Sequence, residues 1–297
     1  MRIPRRAVVS GRFVAAIATL VVPLAFAGSA MASGPTGEYA VFSNCPYENT
    51  EVKQCIYSET LSGKVILGNQ EVPIKNKILL QGGSKLNFET GEEQFFAAKN
   101  GETLQKVGQP VPGGLLDLFP ESALPWWLRP AYKAVFENKL TGVEAVTELA
   151  KPASEIGINS ANLAAQEGVA LKLPVKVHLE NPFLGSSCYV GSSSSPIIWP
   201  LTTGTTNPNP PNKPIKGTPG ELTLNTGSTI LTAKGLELVE NAWSAPAASG
   251  CGGLFSIIVN PIVDAKIGLP SPDGKNTVIL AGNLKRGYAP AVRESVK

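Results

Sequence analysis

A serine nucleophile needs a histidine to take its proton, and the chain has a single candidate, His178. No Gly-x-Ser-x-Gly turn and no Ser-x-x-Lys accompanies it. His178 sits where an alternating strand puts its polar face, so an exposed strand residue is the expected reading. Glycoside hydrolysis needs two converging carboxylates. The aspartates are Asp117, Asp264 and Asp273, and the nearest glutamate pairs are Glu92-Glu93 and Glu237/Glu240. Neighbours on a strand face opposite ways, so Glu92 and Glu93 read as a solvated turn. Gly250-Cys251-Gly252-Gly253 precedes a possible helix and offers amides to an anion, yet neither a Walker nor a Rossmann spacing is present. Close packing around a disulfide explains these glycines better. With one histidine and no C-x-x-C, no metal or redox centre is expected. No catalytic, cofactor-binding or metal-binding residue is therefore assigned, and no cofactor is implied.

Trp126-Trp127 is the most suggestive pair. Buried, the two indoles would fill the core beneath a helical segment, which is the expectation for an apolar stretch. Exposed, they would stack on a sugar or enter a lipid interface, and they are the candidate ligand contacts.

The elements that would position these residues are mostly strands. Glu38 to Ser43, Cys55 to Thr60, Lys64 to Leu67, Glu71 to Ile74 and Lys77 to Gln81 are short β-forming runs. Ser62-Gly63, Gly68-Asn69, Lys75-Asn76 and Gly82-Gly83 separate the later ones as turns. Gln94 to Ala98 and Thr103 to Val107 flank Asn100-Gly101, the strongest hairpin signal in the chain. The middle, 113–140, is apolar and broken by Pro120, Pro125 and Pro130. Pro130 suits the first turn of a helix through Asn138, and Ser160 could cap another through Ala165. From Leu171 to Glu180 apolar and polar residues alternate strictly, the period of a half-buried strand. Cys188 to Gly191, Ile197 to Thr203, Leu222 to Asn225, Leu236 to Trp243 and Thr277 to Leu284 are further strands, with 252–268 helical about Pro261. The Pro-rich run 202–219 is a linker or a long surface loop. A Cys188–Cys251 bond would make it a loop, the preferred reading.

The first 32 residues carry Arg2, Arg5, Arg6 and Arg12, then an apolar run from Phe13 to Ala27, then Ala30-Met31-Ala32. This is the pattern of a secretory signal cut after Ala32. The apolar run is too short for a transmembrane helix, so no membrane-spanning segment is expected in the mature chain. Arg5-Arg6 leaves the twin-arginine route open beside the general one. Removing four arginines and no acid turns the excess of 26 basic over 23 acidic residues into a near balance. No basic stripe remains to bind nucleic acid.

Cys45, Cys55, Cys188 and Cys251 are an even set in an exported chain and are expected to pair as disulfides. Three connectivities are open. Cys45–Cys55 with Cys188–Cys251 keeps each bond within its own half and is favoured. With 43% hydrophobic residues the chain has enough apolar surface for a real core.

The strings Asn181-Pro182-Phe183-Leu184-Gly185-Ser186-Ser187-Cys188-Tyr189-Val190-Gly191, Leu201 to Thr206 and Gly250 to Gly253, with Asn44-Cys45-Pro46 and Cys55, resemble exported actinobacterial proteins of unknown function. That resemblance spans most of the mature chain. It implies secretion and transfers no functional residue.

The expected architecture is all-β, sandwich-like or two packed β modules with short inserted helices. A signal (1–32) would precede an N-terminal hairpin module (33–112), an apolar, partly helical insert (113–140) and a C-terminal module (141–297). The expected role is that of a secreted or cell-envelope protein, non-enzymatic, acting by surface recognition or as a structural component. The alternatives are a module binding an apolar or amphipathic ligand, lipid or glycan, with the Trp126-Trp127 segment at a pocket mouth, and a carboxylate-based hydrolase.

Overall fold

The computed structural model describes residues 34–87, 91–115, 121–137 and 141–297. The signal assigned to 1–32 and parts of the 113–140 insert lie outside the described residues.

The all-β expectation holds. The strands form one antiparallel sheet. In chain order they are β1 (Gln54–Leu67), β2 (Gln70–Pro73), β3 (Ile78–Leu86), β4 (Glu93–Ala97), β5 (Gly108–Pro110), β6 (Glu144–Leu149), β7 (Gly157–Ile158), β8 (Leu171–Glu180), β9 (Tyr189–Val190), β10 (Ile197–Leu201), β11 (Glu221–Asn225), β12 (Ile230–Glu240), β13 (Ala248–Ser249) and β14 (Thr277–Tyr288). The helices are α1 (Arg129–Glu137), α2 (Ser160–Ala165), α3 (Ser256–Ile267) and α4 (Ala289–Glu294).

The pairing path of the sheet returns on itself. From β12 it runs through β14, β1, β3, β4, β7 and β8 to β10. Thr202, just past β10, then exchanges both backbone hydrogen bonds with Val239 of β12, at 3.0 and 2.9 Å. The result is a closed barrel, with β11 and β5 left as edge strands beside it. Among the described residues two of its seams are thin: β4 pairs with β7 at Glu93–Ile158, and the β10 end pairs with β12 through Thr202.

Closure requires sharp bending, and the bend is written into β14. The register of β1 against β14 slips between Thr60 and Ser62, and that of β12 against β14 slips between Lys234 and Leu236. Both slips abut Gly282, which pairs with Thr60 on one side and Leu236 on the other. Bulges increase twist and bend a sheet locally. A side chain at Gly282 would run into the carbonyl of Glu59, so only glycine lets the backbones approach this closely. Each bulge also switches the inward phase. In β1 the inward residues are Ile56, Ser58 and Thr60 before the slip, then Val65 and Leu67 after it.

Several local expectations are corrected. Ser62-Gly63 is no turn but directly follows the bulge at Leu61 inside one long strand, and Gly82-Gly83 continue β3. Glycine in a strand marked a close backbone approach here, not a chain reversal. Glu38 to Ser43 forms a 3-10 helix, Gly37–Phe42, in place of a strand. Asn100-Gly101 does turn the chain. The returning segment, however, touches β3 through Leu104–Leu80 and does not pair with β4. Asn159, not Ser160, caps α2, accepting from the Asn162 amide. The 202–219 run is a surface loop, held by Thr205–Lys216 and Thr218–Glu237 bridges.

The main core fills the barrel and the space beneath α3, whose Val259, Val263 and Ile267 are buried. A second cluster lies outside the barrel, where Phe42, Tyr47, Val52, Ala289 and Val292 pack around the Cys45–Cys55 disulfide. The other bond is Cys188–Cys251, so the favoured pairing is present. The described body also meets itself at its ends: Pro35 bridges Val296, and Thr36 donates to the Ser295 carbonyl through both its amide and its hydroxyl.

Candidate functional site

The barrel interior is not fully packed. Inward positions of β1, β3, β6, β8, β12 and β14 surround a cavity walled by Val65, Leu80, Ala145, Leu173, Val177, Leu238 and Leu280, with Trp199 of β10 and Ile267 of α3 completing it. The strict alternation read in β8 builds this wall directly: Leu171, Leu173, Val177 and Leu179 all face the cavity. The centre of a water-sized sphere has about 80 Å³ in which to move there. The polar wall groups are Ser58, Thr60, Gln70, Gln109 and Thr147, and among the described residues none of the wall is charged. Gln109 is already committed, accepting from the Lys75 and Asn76 amides at 2.8 and 2.9 Å and donating to the Asn76 carbonyl at 2.8 Å.

Aliphatic side chains make up most of the cavity wall. At about 24 cal/mol per Å³ the void costs the fold on the order of 2 kcal/mol. Val65, Gln70, Val72 and Ile78 are half-buried wall residues. They place one end of the cavity at the β1–β2 hairpin and the start of β3.

At the other end the cavity adjoins a smaller chamber, about 30 Å³ by the same measure, sharing Ser58, Leu80, Leu171 and Leu238 as common walls. Arg286 and Ser160 line this chamber. Arg286 of β14 forms a two-pronged ion pair with Glu93 of β4, at 3.0 Å (Nη1–Oε1) and 2.5 Å (Nη2–Oε2). Both residues are buried. Ser84 Oγ donates to Glu93 at 2.8 Å, Ser160 Oγ donates to it as well, and Arg286 contacts both hydroxyls. Burial pushes the Glu93 carboxyl upward. The adjacent guanidinium and the two serine hydroxyls outweigh burial and hold it below the usual carboxylate range.

Glu93 was expected in a solvated turn, and Arg286 was not singled out. Both carried a usable signal. Arg286 falls in phase with Leu280 and Leu284, and Glu93 in phase with Phe95, so each charge sits on the inward side of its strand. A charge there requires a partner.

The remaining candidates are elsewhere. His178 is mostly buried, contrary to expectation: its ring stacks on Tyr189 at 4.4 Å, and Nδ1 lies 3.2 Å from Glu180 and 4.0 Å from Glu148. Glu148 also meets Lys106 and Lys176, at 3.4 and 3.3 Å. The histidine is thus part of a charged cluster, and among the described residues no serine hydroxyl bonds to it. Glu237 and Glu240 lie on opposite faces of β12, and Glu240 accepts from the Asn241 and Ala242 amides. The Gly250–Gly253 amides are partly spoken for, Cys251 by Asn260 and Gly252 by the Leu184 carbonyl. Among the described residues no group of three or more His, Cys, Asp or Glu gathers as a metal site.

Trp126 and Trp127 are not core. They are 79% and 44% exposed, and neither lines the cavity. Trp127 instead packs on Phe255, centroids 5.4 Å apart, beside the exposed Leu254 and Ile257 of the same segment. Among the described residues no helix is long and apolar enough to cross a membrane.

Fold and site define a class: an antiparallel β-barrel, disulfide-bonded, with an uncharged apolar chamber inside. Comparison with protein-family models, curated proteins and solved structures finds no match.

Proposed function

We propose that the chain is an exported binding protein that holds an apolar, chain-like ligand inside its barrel. The carrying observation is the interior cavity, walled by aliphatic side chains from strands distant in sequence and kept open at a cost in stability. Export is supported by the pattern of the first 32 residues and by two disulfides. Binding by enclosure needs no catalytic group, which suits the dispersed His178, Glu237 and Glu240. Delipidated protein is to be titrated with the fluorescent fatty acid cis-parinaric acid. Saturable one-to-one binding that quenches Trp199 and vanishes in Ala145→Phe is the expected result. No binding, or binding indifferent to Ala145→Phe, would refute the reading.

A second reading concerns the exposed Trp127–Phe255 contact and keeps the surface-recognition expectation. Trp126, Trp127, Leu254, Phe255 and Ile257 stand exposed on two neighbouring segments whose strings, 126–129 and 252–257, contain Arg129 and no acid. Tryptophans beside fully exposed aliphatic tips suit the interfacial layer of a lipid bilayer. Flotation with phosphatidylcholine–phosphatidylglycerol vesicles tests it. Trp126→Ala/Ile257→Ser should stay at the bottom of the gradient while the parent floats; equal behaviour of the two would dismiss it.

A further inference from the structure

The charge arrangement inside the barrel says which end of a ligand goes in. Among the described residues, the main cavity has no charged wall residue. The one charge that reaches the inner chamber, Arg286, is cancelled by Glu93 and enclosed by Ser84 and Ser160. Bringing a second carboxylate or a phosphate to this chamber would place it beside Glu93 with no free cation to receive it. An ammonium would meet Arg286 in the same way. Burying an ion without a partner is prohibitive, whereas a methyl terminus adds no charge beside Arg286 and packs on Ile56, Leu80 and Leu236.

Resting on the cavity-binding reading above, we propose that the ligand is an amphiphile with one uncharged hydrocarbon end. It enters tail first, with any charged head left toward the β1–β2 hairpin, and Glu93 enforces this polarity by neutralising Arg286. The register supports the geometry. Val65 pairs with Val278 near the hairpin end, and Ile56 pairs with Arg286 further along β14. At about 3.3 Å per residue that places the two ends roughly 26 Å apart along β14. Glu93 is a positioning residue in this scheme, since it acts through Arg286.

The test compares hexadecanoic acid with hexadecanedioic acid at pH 8, where every carboxyl is ionised, by isothermal titration calorimetry on the delipidated full-length mature protein. The monoacid is expected to bind at least thirty-fold more tightly than the diacid, whose second carboxylate must enter the chamber. In Glu93→Gln, which frees the Arg286 charge, diacid affinity should rise at least tenfold. Equal affinities for the two acids in the parent protein, within threefold, would overturn the proposal, and that comparison needs no variant to fold. A folded Glu93→Gln protein with no gain for the diacid would overturn the role of Glu93. If neither acid binds, the cavity-binding reading itself fails and takes this inference with it.

Discussion

At the scale of single residues the buried Arg286–Glu93 pair is the most consequential contact. Removing one partner strands the other charge in an apolar interior, so Arg286→Leu should destabilise the protein by about 3–5 kcal/mol in urea unfolding. The pH dependence follows from the sign of the shift. Glu93 is held below its unfolded value, so its stabilisation is complete above the unfolded carboxylate range and is lost as pH falls through the folded one. Glu240 behaves oppositely. Burial raises its carboxyl above the ordinary value against the pull of two backbone amides, with Asp273 adding to the rise. Its contribution is therefore full in acid and declines as pH climbs through the raised range. Glu240→Gln, which keeps an acceptor for both amides, should stabilise the fold at pH 7, with the gain shrinking toward pH 4 in thermal melts. These residues were only half legible in the sequence. The phase of Arg286 and Glu93 could be read, but their partnership depends on a barrel that brings together strands far apart in the chain. Likewise, the exposure of Trp126 and Trp127 depends on what packs over them, which hydrophobicity alone does not say.

At the scale of elements, strand positions were largely legible because alternation is a local property, and β8 shows this best. Register breaks were not. Ser62-Gly63 has the composition of a turn, and only its pairing with β14 keeps it in the strand beyond the bulge at Leu61. Gly282 looks unremarkable in sequence, yet it stands where both bulges converge. Gly282→Val should prevent closure, giving a protein with the near-ultraviolet dichroism lost and much of the far-ultraviolet signal retained. The Cys188–Cys251 bond spans a sequence separation of 63 and anchors the segment before α3 to the β8–β9 turn. By loop-closure entropy, Cys188→Ala/Cys251→Ala should cost about 4 kcal/mol, read from denaturant midpoints under oxidising conditions. An unchanged midpoint would mean that this bond does not restrain the unfolded chain.

At the scale of the whole molecule, a void and a ligand are thermodynamically linked. A ligand held in the cavity at a free concentration a hundredfold above its dissociation constant should add about 2.7 kcal/mol of stability, visible as a raised melting temperature. Ala145→Phe should capture part of that gain without any ligand, by occupying the space itself. The closed path was beyond the reach of sequence, because its two thin seams consist of single residue pairs with no pattern to announce them. The all-β class was readable because it needs only composition and period. The meeting of Pro35 with Val296 carries a different consequence. Within residues 34–297 the first and last residues lie side by side, so a chain trimmed to that span is topologically close to a circle. A short peptide splice from Gly34 to Lys297, with new termini opened at the exposed Ser193, should preserve every strand neighbour. Where translation starts would then be separable from the shape that results.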